Sequence, residues 1–120
     1  MRWASLAGGL MFLAVALGAF GAHGLRNKLD APAIEIYQTA VFYHIVHSLA
    51  LFLVALSLGQ FPSDKLRLAA YLFVSGIVLF SGSLYLLSFT GLRWLGAVTP
   101  FGGFCFLAGW AALAAAFYRG

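Results

Sequence analysis

Histidine supplies the clearest prospect of chemistry in this chain. In FYHIVHSLALF (residues 42–52), His44 and His47 stand three positions apart in a run that is otherwise almost wholly apolar. On a helix that spacing puts both imidazoles on one face. Imidazole titrates near physiological pH, ligates metals, and both donates and accepts hydrogen bonds. The pair can therefore fasten helices, form part of a proton or solute path, or hold a metal or haem. A third histidine, His23, lies in GAFGAHGL (residues 18–25).

These three readings make different demands. As fasteners, His44 and His47 stay neutral and take a hydroxyl or carbonyl from Ser75, Ser81, Ser83 or Tyr85. As a conduit, His23, His44, His47, Ser81, Ser83 and Tyr85 line a polar intramembrane path, because ionisable groups inside a membrane often mark such routes. Ligation would use His23 with His44 or His47. No carboxylate or thiolate stands at ligand spacing beside them, so this reading has the least support, and no metal or cofactor is expected. The three acids, Asp30, Glu35 and Asp64, fall at or near predicted loops. With no paired intramembrane carboxylates, nucleophile elbow, phosphate loop or haem-attachment motif, the expectation is that the chain is not an enzyme. Cys105 is expected to be a small packing residue, and as the lone cysteine it has no internal disulfide partner.

The elements that position these groups follow from composition. Of the 120 residues, 63% are hydrophobic and 8% charged, more apolar surface than a soluble core of this size can bury. Apolar runs of about 20 residues, enough to cross a bilayer as helix, occur at Trp3–Ala22, Ile34–Leu58, Leu66–Phe89 and Pro100–Tyr118. The expected fold class is all-α, an integral membrane antiparallel four-helix bundle, with residues 1–120 as a single membrane domain. GLRNKLDAPA (24–33) and GQFPSDK (59–65) break the first two junctions with Gly, Pro and capping residues. In TGLRWLGAVTP (90–100), Thr99 can cap and Pro100 suits a first helical turn. That predicts a helix N-terminus at Thr99 and Pro100, a candidate anion site.

Small residues recur at helical intervals: Ala7, Met11, Ala14, Gly18 and Ala22 in the first span, Gly102, Cys105, Gly109, Ala112 and Ala116 in the fourth, and Ser75, Gly76, Gly82 and Ser83 in the third. In lipid such seams let helices approach closely, so Phe, Leu and Trp are expected mostly outward. GGLMFLA (8–14) and GGFCFLA (102–108) agree at five of seven positions, but the echo stops there and is read as chance. Trp3, Tyr37, Trp94 and Tyr118 are expected in the interfacial belt. An even number of spans puts both termini on one side, with Arg2, Lys65, Arg67 and Arg119 against Arg26, Lys28 and Arg93 opposite. The positive-inside rule then leans towards cytoplasmic termini. The net charge of +4 fits short basic loops at anionic lipid surfaces, and nucleic acid is not an expected partner.

GAFGAHGL, Tyr43-His44 with His47, FSGSLY (80–85), and TPFGG (99–103) followed by Gly109-Trp110 together resemble the YgdD-like small bacterial inner-membrane family, a domain of unknown function. The likeness covers nearly the whole chain. It implies a four-span, multi-pass inner-membrane protein and carries no catalytic residue with it. The expectation is therefore a compact structural or accessory module in contact with membrane lipids, acting as a homo-oligomer or with a membrane-protein partner. The alternative is the small-solute or proton conduit.

Overall fold

The computed structural model describes residues 2–25 and 27–118; Arg26 and Arg119, counted above among the loop charges, lie outside them. The elements are α1 (Arg2–Gly24), α2 (Ala31–Gln60), α3 (Asp64–Gly76), a π-helical turn (Ile77–Ser81), α4 (Gly82–Thr90) and α5 (Leu95–Tyr118). α3, the π-turn and α4 run on as one helix, Asp64–Thr90, which gives four helices long and apolar enough to cross a membrane among the described residues. The fold is an all-α membrane bundle. Its long dimension of 49 Å exceeds the roughly 30 Å hydrocarbon core, leaving helix ends and loops at the interfaces.

Local chemistry sets the helix starts. Asp30 accepts from the Ala33 N–H at 2.9 Å and caps α2, with Pro32 in the first turn where its missing N–H costs nothing. Ser63 caps α3 by accepting from Leu66 N–H at 3.2 Å. α4 ends at Gly91, whose φ of +71° is the left-handed turn that glycine adopts without a Cβ penalty. Gly91 is the one described residue with positive φ.

Sequential neighbours pack most broadly: α1 on α2, α2 on the third membrane helix, and α3 on α5. Trp3 meets Tyr71 edge-on, and Phe61 meets Phe117. These contacts bring the start of α1, the ends of α2 and α5 and the start of α3 to one end of the bundle. Tyr37 and Phe89 meet at the other. The core joins Ala7, Ala50, Leu51, Val54, Leu66, Ala69, Ala70, Phe73, Ile77 and Phe106.

Four sequence expectations need correction. α5 begins at Leu95, so Thr99 and Pro100 lie inside a helix and do not form its N-terminus. Leu95 is buried, and the first turn is pinned by N–H bonds from Leu95, Gly96 and Ala97 to the carbonyls of Leu92, Arg93 and Trp94. The helix is therefore established before proline is reached, and α5 forgoes one backbone bond, as membrane helices tolerate. Tyr37 is no belt residue: it is 2% exposed, with its ring in the space left by Gly21. Gly82 lies off the third-helix seam, because a Cβ there would meet nothing within 4 Å. Finally, the large rings are mostly outward as expected, but the seams are not merely lines of close backbone approach.

They act as sockets instead. Gly76 on α3 receives the ring of Phe106 on α5, and Gly109 on α5 receives the ring of Phe73 on α3, with a Cβ–ring distance of 2.7 Å if alanine stood there. At Gly102 a Cβ would run into the backbone of Phe80 in the π-turn. Reciprocal glycine–phenylalanine insertion gives close van der Waals packing where lipid supplies no hydrophobic drive between helices. The echo between residues 8–14 and 102–108 has no structural counterpart: Gly8 is open where Gly102 is closed.

Gly102→Ala is expected to cost roughly 1–3 kcal/mol, because the obstructing atoms are backbone and cannot rotate away. Gly82→Ala, in open space within a helix, should be neutral or stabilising by up to about 1 kcal/mol. Thermal unfolding of the two purified variants in one detergent checks the pair; equal melting temperatures would refute the close approach.

Candidate functional site

α2 carries the polar residues that matter. Tyr37, His44, His47 and Ser48 are all buried on it, between 1% and 3% exposed, together with Ala40, Ala50, Leu51, Val54 and Ala55. Tyr37, Ala40, His44, Ser48, Leu51 and Ala55 recur at three- to four-residue steps, so one stripe of α2 faces the bundle. Because polar groups in hydrocarbon need partners, the neighbouring helices must supply them.

They do so helix by helix. Towards α1, the Tyr37 hydroxyl donates to the Leu17 carbonyl at 2.5 Å. Towards α4, His44 Nδ1 and the Tyr85 hydroxyl are 2.8 Å apart. Towards the π-turn, the Ser81 hydroxyl donates to the Ala40 carbonyl at 2.8 Å. Towards α5, the Trp110 indole N–H donates to His47 Nε2 at 3.0 Å. Each interhelical bond of this kind contributes about 0.6 kcal/mol on average and up to roughly 1.7. Together they link α2 to every other membrane helix.

His47 has one admissible proton arrangement. Its Nδ1 lies 2.8 Å from the Tyr43 carbonyl, which can only accept, and its Nε2 faces an indole N–H, which can only donate. The ring is therefore neutral, protonated on Nδ1. It stacks on Phe106 at 3.6 Å between centroids with a 10° interplanar angle, and Tyr43 lies nearly parallel on a wider spacing of 6.0 Å. Phe73 and Trp110 complete the surround. His44 leaves more open: either its Nδ1 or the Tyr85 hydroxyl donates, and its Nε2, although the Leu10 backbone of α1 is near, completes no well-formed hydrogen bond, as is also true of Ser48 Oγ one turn along α2.

The remaining candidates separate. Ser83 and Thr99 pair hydroxyl to hydroxyl at 2.6 Å, joining α4 to α5. Since each hydroxyl has one proton, the other bonds they approach, to Phe80 and Leu95 carbonyls of their own helices, can be made by only one of the two at a time. Thr99 thus serves the bundle as a cross-link and not as an anion-binding cap. His23 is exposed in the last turn of α1 and does not join His44 and His47. Among the described residues no three His, Cys, Asp or Glu side chains converge to hold a metal ion.

Sequence reasoning finds the partner of His44 but not those of His47. The partner expected for His47 is a hydroxyl or carbonyl of the third helix, whereas the structure uses the α5 indole and the carbonyl of Tyr43 on its own helix. Trp110 had been noted only within the Gly109-Trp110 motif, and nothing in spacing along a chain ties it to a residue on α2. Tyr37 was visible on the correct face. Its burial depends on Gly21, a pairing that only packing reveals.

At neutral pH the ¹⁵N spectrum of labelled protein in nanodiscs should show His47 with a protonated Nδ1 and an unprotonated Nε2. Trp110→Phe, which removes the indole donor, should shift the Nε2 resonance while leaving that of His23 in place. An Nε2-protonated ring in the unaltered protein would overturn the assignment.

Comparison with known proteins gives this arrangement a family. A model described as "Protein of unknown function (DUF423)" matches residues 17–103, most of the chain and all of α2, α3, the π-turn and α4. The UPF0382 membrane protein YwdK of Bacillus subtilis is 49% identical over 104 residues, covering 82% of this chain and 80% of that protein. A UPF0382 membrane protein of Haemophilus influenzae is 44% identical over 103 residues, 86% and 82% of the two chains. The UPF0382 inner membrane protein YgdD of Escherichia coli is 43% identical over 100 residues, 83% and 76%. No solved structure matches the chain. Four membrane-length helices and a family match across their centre lead to one conclusion: this chain is an integral membrane protein belonging to the DUF423 family.

Proposed function

We propose that the protein is a non-enzymatic structural or accessory module of the bacterial inner membrane, working through its surface in contact with lipids and with a second copy or another membrane protein. One observation carries this reading: most of the buried polar side chains of the bundle are engaged by protein partners, the majority of them on neighbouring helices. His47 commits both ring nitrogens, Ser81 and Tyr37 bond carbonyls of neighbouring helices, and Ser83 bonds Thr99. A site for chemistry needs groups free to engage a substrate, and these are occupied in holding the bundle together. The relative YgdD of Escherichia coli is an inner membrane protein by name, and the basic loops favour termini on the cytoplasmic side.

A narrow proton relay is the second reading. It rests on His44 and Ser48, whose unpartnered buried atoms lie one turn apart, next to the His44–Tyr85 bond. A relay needs neighbouring groups that can exchange a proton, and these have the required types.

Two measurements test the proposal. Proteoliposomes loaded with a pH-sensitive dye should conduct protons no faster than protein-free vesicles. A flux that disappears in His44→Phe would replace the module by the relay. For orientation, a C-terminal green fluorescent protein fusion should fluoresce while a C-terminal alkaline phosphatase fusion stays inactive; the converse pattern would place the termini outside.

A further inference from the structure

The end of the bundle away from the termini contains an open recess of about 870 Å³. Two segments far apart in sequence line it: the α1–α2 connection contributes Lys28 and Asp30, and the α4–α5 turn contributes Arg93. Ile36 near the start of α2 and Leu87 and Phe89 near the end of α4 form the rest of the wall used here. The lining is thus divided by depth. The cations sit on the loops at the membrane surface, and the apolar side chains sit on the helices that run down into hydrocarbon.

Charge sharpens the division. Asp30 is turned onto the first turn of α2, where its carboxylate accepts from the Ala33 N–H, so its charge is set against the positive end of that helix. Among the described residues the one ion pair is Arg67 with Asp64, which belongs to the opposite end of the bundle. Lys28 and Arg93 are exposed and have no carboxylate within ion-pair distance among those residues. Gly91, in its left-handed turn, and the following short connection to Leu95 bring Arg93 to the recess that Lys28 also lines. A free inorganic anion would use the cations and leave the apolar wall without purpose. A phospholipid uses both.

We propose that this recess binds an anionic phospholipid, with its headgroup phosphate between Lys28 and Arg93 and an acyl chain along Ile36, Leu87 and Phe89. Basic residues at a membrane surface attract anionic lipid by a favourable energy for each cation, and two of them facing one recess convert a diffuse attraction into a localised one.

The test is native mass spectrometry of the full-length protein, titrated with phosphatidylglycerol and with phosphatidylcholine of the same acyl chains. Phosphatidylglycerol should bind more tightly. The double variant Lys28→Gln/Arg93→Gln should weaken that binding roughly thirtyfold, about fivefold for each cation. Lys65→Gln/Arg67→Gln removes the same formal charge from the other end and should change it by less than about twofold. All four side chains are exposed, and circular dichroism of the variants checks that they retain their helices. Equal binding of the two lipids, equal loss in both double variants, or full displacement of phosphatidylglycerol by millimolar inorganic phosphate would each overturn the proposal.

Discussion

A hydrogen-bonding group placed in hydrocarbon has to be satisfied by the protein itself, and α2 is where this chain meets that requirement most often. Its buried face holds a phenol, two imidazoles and a hydroxyl, so α2 cannot be left against lipid on that side. α1 answers Tyr37 with a carbonyl, α4 answers His44 with a tyrosine and α5 answers His47 with an indole, while the π-turn serine bonds the Ala40 carbonyl of α2 and the Ser48 hydroxyl has no partner. The order of helices around α2 thus follows from which of them carries the complementary group at the right depth. Each bond is modest, but an alternative packing would have to satisfy the same groups at the same depths.

Glycine sets the distances at which those bonds form. The indole of Trp110 reaches His47 because α5 lies close to α3, with Phe73 in the space above Gly109 and Phe106 in that above Gly76. Phe106 then serves twice, as the ring inserted into α3 and as the surface on which His47 stacks. Packing and polar satisfaction are therefore coupled through a single side chain. Enlarging Gly76 would displace Phe106 and disturb His47 without touching any hydrogen-bonding atom.

Much of this was legible in the chain because bilayer crossing is a coarse physical demand. Four long apolar runs are hard to place in any other way, and Asp30 and Ser63 mark helix starts by ordinary capping chemistry. Their family-level likeness to YgdD-like proteins was also readable from short motifs, and the comparisons bear it out. What stayed hidden depends on contacts between distant positions. Pro100 looked like a start because local preference favours it there, while buried Leu95 and three early backbone bonds begin the helix sooner. His47 and Trp110 are partners across two helices, with no shared local pattern. The π-turn, IVLFS, is equally silent: its residues suit an ordinary α-helix, and its neighbours include the close backbone of Gly102 and the acceptor at Ala40.

That widened turn makes the third membrane helix a phased object. From Ile77 to Ser81 the backbone winds more slowly than an α-helix, and the Gly82 N–H reaches back to the Ile77 carbonyl, five residues away. Residues before the turn face α5 with Phe73 and Gly76, and residues after it face α2 with Tyr85 and α5 with Ser83. Both halves are in register with the same neighbours only because the intervening turn absorbs an extra residue. Losing the extra residue together with the wide turn would preserve the phase, whereas winding those five residues as regular α-helix with none removed would rotate everything downstream by about 100°, the angle per residue of an α-helix. Tyr85 would swing away from His44 and Ser83 from Thr99, although every side chain was still present. The winding of those five positions is consequently as much a determinant of the bundle as the identity of any residue in it.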